Sequence, residues 1–226
     1  MVVLIAYWLI LRSRWKLMED DYLAVMMISF LLLFFGVCGR FLGREMLRAT
    51  AFPLGMLIFM VPIPAFFMPA IDSFLQHGSA AAAQAFFILS DTPYLRNGLV
   101  FQLSDITIQV ARECSGIQSS MVLLITGLVA GYLFLRSPWN RALLALLMIP
   151  LGLLRNGFRV FTIGELCVHI GPQMIDSPIH HQGGPIFFAL SLVPLFILLV
   201  VLQKFERMRR KAQSKSKENS TPNLQN

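Results

Sequence analysis

The sequence predicts an all-α polytopic membrane protein: a bundle of about six transmembrane helices with an interfacial helix and a small extracytoplasmic β-hairpin. Three observations predict it. Hydrophobic residues make up 56% of the 226-residue chain and charged residues only 14%, against roughly 25% charged in soluble domains; mean hydropathy is +0.67. The apolar residues fall in long runs separated by short polar or basic links, as repeated spans require. Residues 99–110 depart from this and alternate, which is the period of a strand.

Met1–Leu11 is apolar but shorter than the roughly 20 residues of a span, and it lacks the basic start of a signal peptide. It reads as the remnant of a span whose start lies upstream. Arg12–Asp21 is a charged loop. Tyr22–Val37 is a clear span, followed by Arg40, Arg44 and Arg48. Phe52–Ile71 is a second apolar run, and Pro53, Pro62, Pro64 and Pro69 predict kinks in it. Asp72–Leu89 is alanine-rich and less apolar, so it is expected as the interfacial helix. Leu99, Phe101 and Leu103 alternate with polar residues, Ser104-Asp105 can turn the chain, and Ile106, Ile108 and Val110 alternate again. That is the hairpin. Ile117–Leu135, Ala142–Gly164 and Pro185–Leu202 are further spans. They are separated by the basic link Arg136–Arg141 and by Glu165–Gly183, which has no lysine or arginine. Residues 1–205 are read as one transmembrane domain and residues 206–226 as a basic, polar cytoplasmic tail, with Ser214–Asn226 disordered.

The net charge of +7 sits largely at the C-terminal end, at Lys204 just before that tail and at Arg207, Arg209, Arg210, Lys211, Lys215 and Lys217 within it. A basic block after a span is a cytoplasmic anchor against membrane lipid, not a nucleic-acid surface. Cys38, Cys114 and Cys167 are widely spaced and odd in number, so neither a metal site nor a disulfide framework is expected. No cofactor motif is present. With the tail, Arg136/Arg141 and Arg40/Arg44/Arg48 in the cytoplasm, the intervening spans alternate. Cys114, the far end of the Arg159 helix and His180 then share the outer side. Arg12, Arg14 and Lys16 fall outside under the same assignment, against the rule.

The chemistry gathers at Ala111-Arg-Glu-Cys-Ser-Gly-Ile-Gln-Ser-Ser120. Cys114 stands just ahead of a helix start, where unpaired N–H groups and the positive end of the helix dipole favour a thiolate. Arg112 adds to that and Glu113 opposes it; Ser115 and Gly116 keep the junction small. Arg155, Asn156 and Arg159 are spaced i, i+1 and i+4, so Arg155 and Arg159 share a face, as do Asn156 and Arg159. Charges inside a span are costly and turn towards a polar cavity or a partner. The bland alternative for Arg155 is snorkelling, or a salt bridge to Glu113 or Glu165. His180-His181 precedes the last span; a histidine there can take a thiol proton and return it to a leaving amine, or simply sit at the interface. His77, His169, Cys38 and Cys167 carry no supporting pattern.

Three motifs together resemble the exosortase/archaeosortase family of membrane-embedded cysteine transpeptidases. They are Glu113-Cys-Ser-Gly-Ile117, Leu154-Arg-Asn-Gly-Phe-Arg159 and His180-x-x-x-Gly184 with Phe188 four residues on. The likeness covers roughly residues 20 to 205. It implies that Cys114 forms an acyl-thioester and that Arg159 and His180 complete a triad, the division of proton donation and oxyanion stabilisation between them staying open. It also implies the substrate: a secreted protein ending in a PEP-CTERM-type motif, a hydrophobic helix and a basic cluster. That protein would be passed to an unknown acceptor nucleophile at the inner membrane of a bacterium making exopolysaccharide. The sequence departs from the pattern in offering His181 beside His180 and in placing Pro185 after Gly184. Three other readings remain: an interfacial cysteine protease that only hydrolyses, a transporter using its intramembrane arginines, or a scaffold without chemistry.

Overall fold

The computed structural model describes residues 19–103, 106–110, 116–171 and 184–220. The chain divides into two compact units, residues 1–71 and 72–226.

In the first unit, α1 (Glu19–Phe41) ends as Gly43 takes a left-handed φ of +72°, and α2 (Gly43–Ala49) starts there. Next come α3 (Ala51–Met56) and a 3₁₀ turn at Leu57–Met60. Phe52–Ile71 is therefore not the kinked span expected from its apolarity. Val61 precedes Pro62 and turns extended, with ψ of 121°, because a residue before proline is forced out of the helical region. Pro62 and Pro64 then lack the N–H groups that would resume the ladder. The chain returns instead to the start of α1, where the Ala65 N–H donates to Asp21 Oδ1 at 2.7 Å.

The second unit holds the rest. A helix is present where Asp72–Leu89 is expected to form one, as α4 (Met68–Leu89), and it begins four residues earlier than predicted. The expected hairpin is also present: β2 (Val100–Gln102) pairs antiparallel with β3 (Thr107–Gln109), Phe101 opposite Ile108. A further strand, β1 (Leu95–Asn97), pairs with β2 on its other side. Gly98-Leu99 turns the chain between the paired residues Asn97 and Val100, Gly98 supplying φ of +63°. A glycine at the first position of a two-residue loop is a hairpin signal, and it marks the strand that the period-2 pattern alone misses. The alternation is real: Phe101, Leu103 and Val110 are buried, and they pack with Phe87, Ala80 and Ala83 of α4 and Val160 of the next long helix.

Three long helices complete the unit: α5 (Ile117–Phe134), α6 (Pro138–His169) and α7 (Gly184–Ser220). Leu123 and Leu135, Leu144 and Met148, and Leu195 and Leu199 form their common core. Pro138 opens α6 at its first turn, where its missing N–H costs nothing. Gly127 lets α5 close on α6, since a Cβ there would lie 2.5 Å from Met148 Cγ. Small residues drive such approach in a bilayer, where burial alone gives helices no reason to associate. Hydroxyls inside the helices are satisfied locally, Thr126 donating to the Val122 carbonyl and Thr162 to that of Phe158, each at 2.8 Å.

Among the described residues, four helices are long and apolar enough to cross a membrane: Asp21–Phe41, Ile117–Phe134, Pro138–His169 and Gly184–Gln213. Of the other expected spans, Met1–Leu11 lies outside the described residues and Phe52–Ile71 is broken. The tail also differs from expectation. Instead of ending near Leu202, α7 runs to Ser220, because lysine, arginine, glutamine, glutamate and alanine all extend a helix already nucleated in the bundle.

Candidate functional site

The site is built where the start of α5 meets the middle of α6. Gly116 is the last residue of the Glu-Cys-Ser-Gly motif. It takes φ of +70° and ψ of 19°, a left-handed conformation that breaks the incoming chain and launches α5 at Ile117. The helix therefore begins where the sequence predicts. Gly116 also has no room for a side chain: a Cβ would come within 2.9 Å of the Asn156 Cγ and Oδ1 atoms and 3.2 Å of Arg155 Nη2. Gly116 of the first motif is thus pressed directly onto the second.

Arg155 is only 8% exposed. It does not reach Glu165, one of its two expected carboxylate partners. Its Nη2 donates to Ser119 Oγ at 2.5 Å, and Ser119 Oγ donates to the Gly116 carbonyl at 3.1 Å. The guanidinium thereby ties the first turn of α5 to the middle of α6. Glu165 is used elsewhere. It accepts from Thr92 Oγ1 at 2.5 Å and from Ser90 Oγ at 3.4 Å, and it pairs with His169 at 3.1 Å. It closes the link after α4, which also accounts for His169. His77 bonds within its own helix, to the Ser73 carbonyl at 2.8 Å. Cys38 and Cys167 are both buried thiols.

Asn156 is 2% exposed and donates from Nδ2 to Ser79 Oγ of α4 at 3.0 Å. Gly157 makes that contact possible, since a Cβ there would lie 2.9 Å from the Ser79 carbonyl oxygen and 2.5 Å from Ala82 Cβ. The alanine run of α4 is therefore a close-crossing face, with Ser79 as its polar member. Arg159 lies one turn beyond Arg155 on α6 and is half-buried.

The structure thus brings Gly116, Arg155 and Asn156 together, with Arg159 one turn away. Gly184 opens α7, and a Cβ there would meet nothing within 4 Å among the described residues. Glu113, Cys114, Ser115, His180 and His181 lie outside the described residues. Two participants escape the motif reading, Ser119 and Ser79. Ser119 sits inside the Cys-Ser-Gly-Ile-Gln-Ser-Ser stretch, three residues after Gly116, which puts it in the first turn. Ser79 is a hydroxyl just ahead of an alanine run, and a lone polar residue on a small-residue helix face is the signal that finds it.

Beside Arg155, α6 and α7 leave an apolar cleft of about 330 Å³. Leu154, Phe158, Phe187, Leu190 and Pro194 line it, with Phe86 of α4 at its edge. Among the described residues, no group of histidine, cysteine, aspartate and glutamate could hold a metal ion.

No match was found among curated proteins or among solved structures. The family model described as transmembrane exosortase (Exosortase_EpsH) matches residues 1–197. That range includes the positions of all three motifs, three of the membrane-spanning helices described above and the first part of the fourth, and by it this multi-pass membrane protein belongs to the transmembrane exosortase family.

Proposed function

We propose that the protein is a cysteine transpeptidase that cleaves the C-terminal sorting signal of secreted proteins, with Cys114 as nucleophile. The Cys114 thiolate attacks the scissile carbonyl, and a tetrahedral oxyanion forms. Arg159, fixed in charge, stabilises that oxyanion. The C–N bond then breaks, and His180 (or its neighbour His181) hands its proton to the departing amine. An acyl-thioester remains on the sulfur. An acceptor nucleophile attacks the thioester carbonyl, the C–S bond breaks and the enzyme is restored. Arg155 and Asn156 hold the junction rather than react.

The observation that carries this reading is the family match over residues 1–197, which includes every residue of the triad. The packing of Gly116 on Arg155 and Asn156 supports it, since the chain leaving Cys114 is joined to the helix that carries Arg159. The apolar cleft beside Arg155 suits a substrate that arrives as a hydrophobic helix. The reading puts the enzyme in a bacterial inner membrane with Cys114 facing outwards, so that the basic cluster of a sorting signal stays in the cytoplasm and its scissile bond meets the sulfur.

The test is co-expression with a protein ending in a motif, a hydrophobic helix and a basic cluster. Cys114→Ala and Cys114→Ser are expected to abolish its processing. Normal processing by both variants, with the protein present in the membrane, would falsify the enzyme reading. The mass of the released product separates transfer from hydrolysis, because transfer adds the acceptor and hydrolysis adds only water.

A further inference from the structure

The opposite end of the bundle carries a second polar site that this chemistry leaves unused. At the link between α5 and α6, a concavity of about 400 Å³ is lined by Arg136, Arg207 and Arg210, together with Gln203 and Glu206. Three arginines against one carboxylate leave two positive charges in excess. That carboxylate is already occupied: Glu206 accepts from the Arg136 N–H at 3.1 Å, the Ser137 N–H at 2.8 Å and Asn140 Nδ2 at 3.0 Å. None of the three guanidinium groups reaches a carboxylate within 4.0 Å among the described residues, although the charge of Arg210 bears on Glu206. Exposed guanidinium forks with no close carboxylate are suited to a phosphate.

Two further observations fix the class of ligand. The remaining wall is apolar: Leu133 and Phe134, at the last turn of a membrane-spanning helix, are 67% and 53% exposed. A soluble phosphate gains nothing from that wall, whereas acyl chains do. Trp139, at the start of α6, is 83% exposed, and exposed tryptophan beside a span marks the depth of the lipid headgroups. The cavity lies within a few residues of it in sequence, so it opens where phosphodiesters are concentrated.

We infer that this cavity binds the phosphate headgroup of an anionic phospholipid, its phosphodiester held by Arg136, Arg207 and Arg210 and its acyl chains lying along Leu133 and Phe134. The inference does not depend on the catalytic reading. Phosphatidylglycerol is the probe, set against phosphatidylcholine and inorganic phosphate, with lipid retention by the full-length protein read by native mass spectrometry. Wild type is expected to retain phosphatidylglycerol in preference to phosphatidylcholine, and the R207Q/R210Q double variant to bind it about tenfold more weakly. The R209Q/K211Q double variant removes the same charge from the same helix outside the cavity, and is expected to keep the preference. Equal loss in both double variants would mean diffuse attraction to the basic tail and would overturn the site. Displacement of the lipid by millimolar inorganic phosphate would assign the cavity to a soluble anion instead. Absence of any preference in wild type would defeat the proposal without recourse to a variant.

Discussion

At the scale of single residues, the position most constrained by geometry is Gly116. Its left-handed backbone costs a side-chain-bearing residue about 1–2 kcal/mol, and its Cβ would strike Asn156. Gly116→Ala is therefore expected to lower thermal stability in detergent by several degrees and to reduce substrate processing sharply, while the protein still reaches the membrane. An unaltered melting curve together with full processing would contradict this account of the junction. Asn156→Ala is expected to cost about 1–3 kcal/mol, because Ser79 loses its partner in a buried site; a chemical denaturation series checks it. How legible these residues were depends on their kind. Gly116, Arg155 and Asn156 are named by their motifs and spacing, and the structure brings them together. The partner of Arg155 could not be read in the same way. A buried arginine suggests a carboxylate, and Glu165 stands at an attractive distance in sequence, yet the chain gives Glu165 to Thr92 and His169 and gives Arg155 a serine hydroxyl. That choice rests on how α5 and α6 cross, and residue spacing does not encode it.

At the scale of elements, hydrophobic period proved a reliable guide wherever one face alone is buried. The alternation through Phe101, Leu103 and Val110 gives the hairpin, and the buried positions follow it. Run length was a weaker guide. Phe52–Ile71 has the composition of a span and lacks its continuity, because two prolines close together leave Val61 extended and the ladder unmade. The α4–α6 crossing carries a prediction of its own. Gly157 faces Ala82, Ala83 and Ser79 at distances that leave no space for a methyl group. Gly157→Ala is expected to cost about 1–3 kcal/mol by overpacking, and Gly157→Leu to abolish accumulation of folded protein, both followed by fluorescence-detected size exclusion. Wild-type behaviour of the leucine variant would mean that α4 does not rest on α6 as described.

At the scale of the whole molecule, orientation is the property that composition addresses best, through the basic residues beside the spans. The outward assignment of Cys114 predicts modification by a membrane-impermeant maleimide in intact spheroplasts. The measurement belongs in a Cys38→Ser, Cys167→Ser background, although both of those thiols are buried. Labelling that appears only after lysis would reverse the topology. The other end of the bundle is held by one carboxylate. Glu206→Gln is expected to weaken the hold on the first turn of α6 by about 1 kcal/mol, seen as a modest fall in melting temperature with activity retained. This contact has a consequence for biosynthesis. Domains acquire structure from the N-terminal side as the chain is made, so α5 and α6 are complete well before α7 emerges. Until the ribosome has passed Glu206, the amides at the start of α6 have no carboxylate to receive them. The helical hairpin of α5 and α6 must therefore wait in the bilayer with a loose corner, and the last helix to be translated is the one that fastens it.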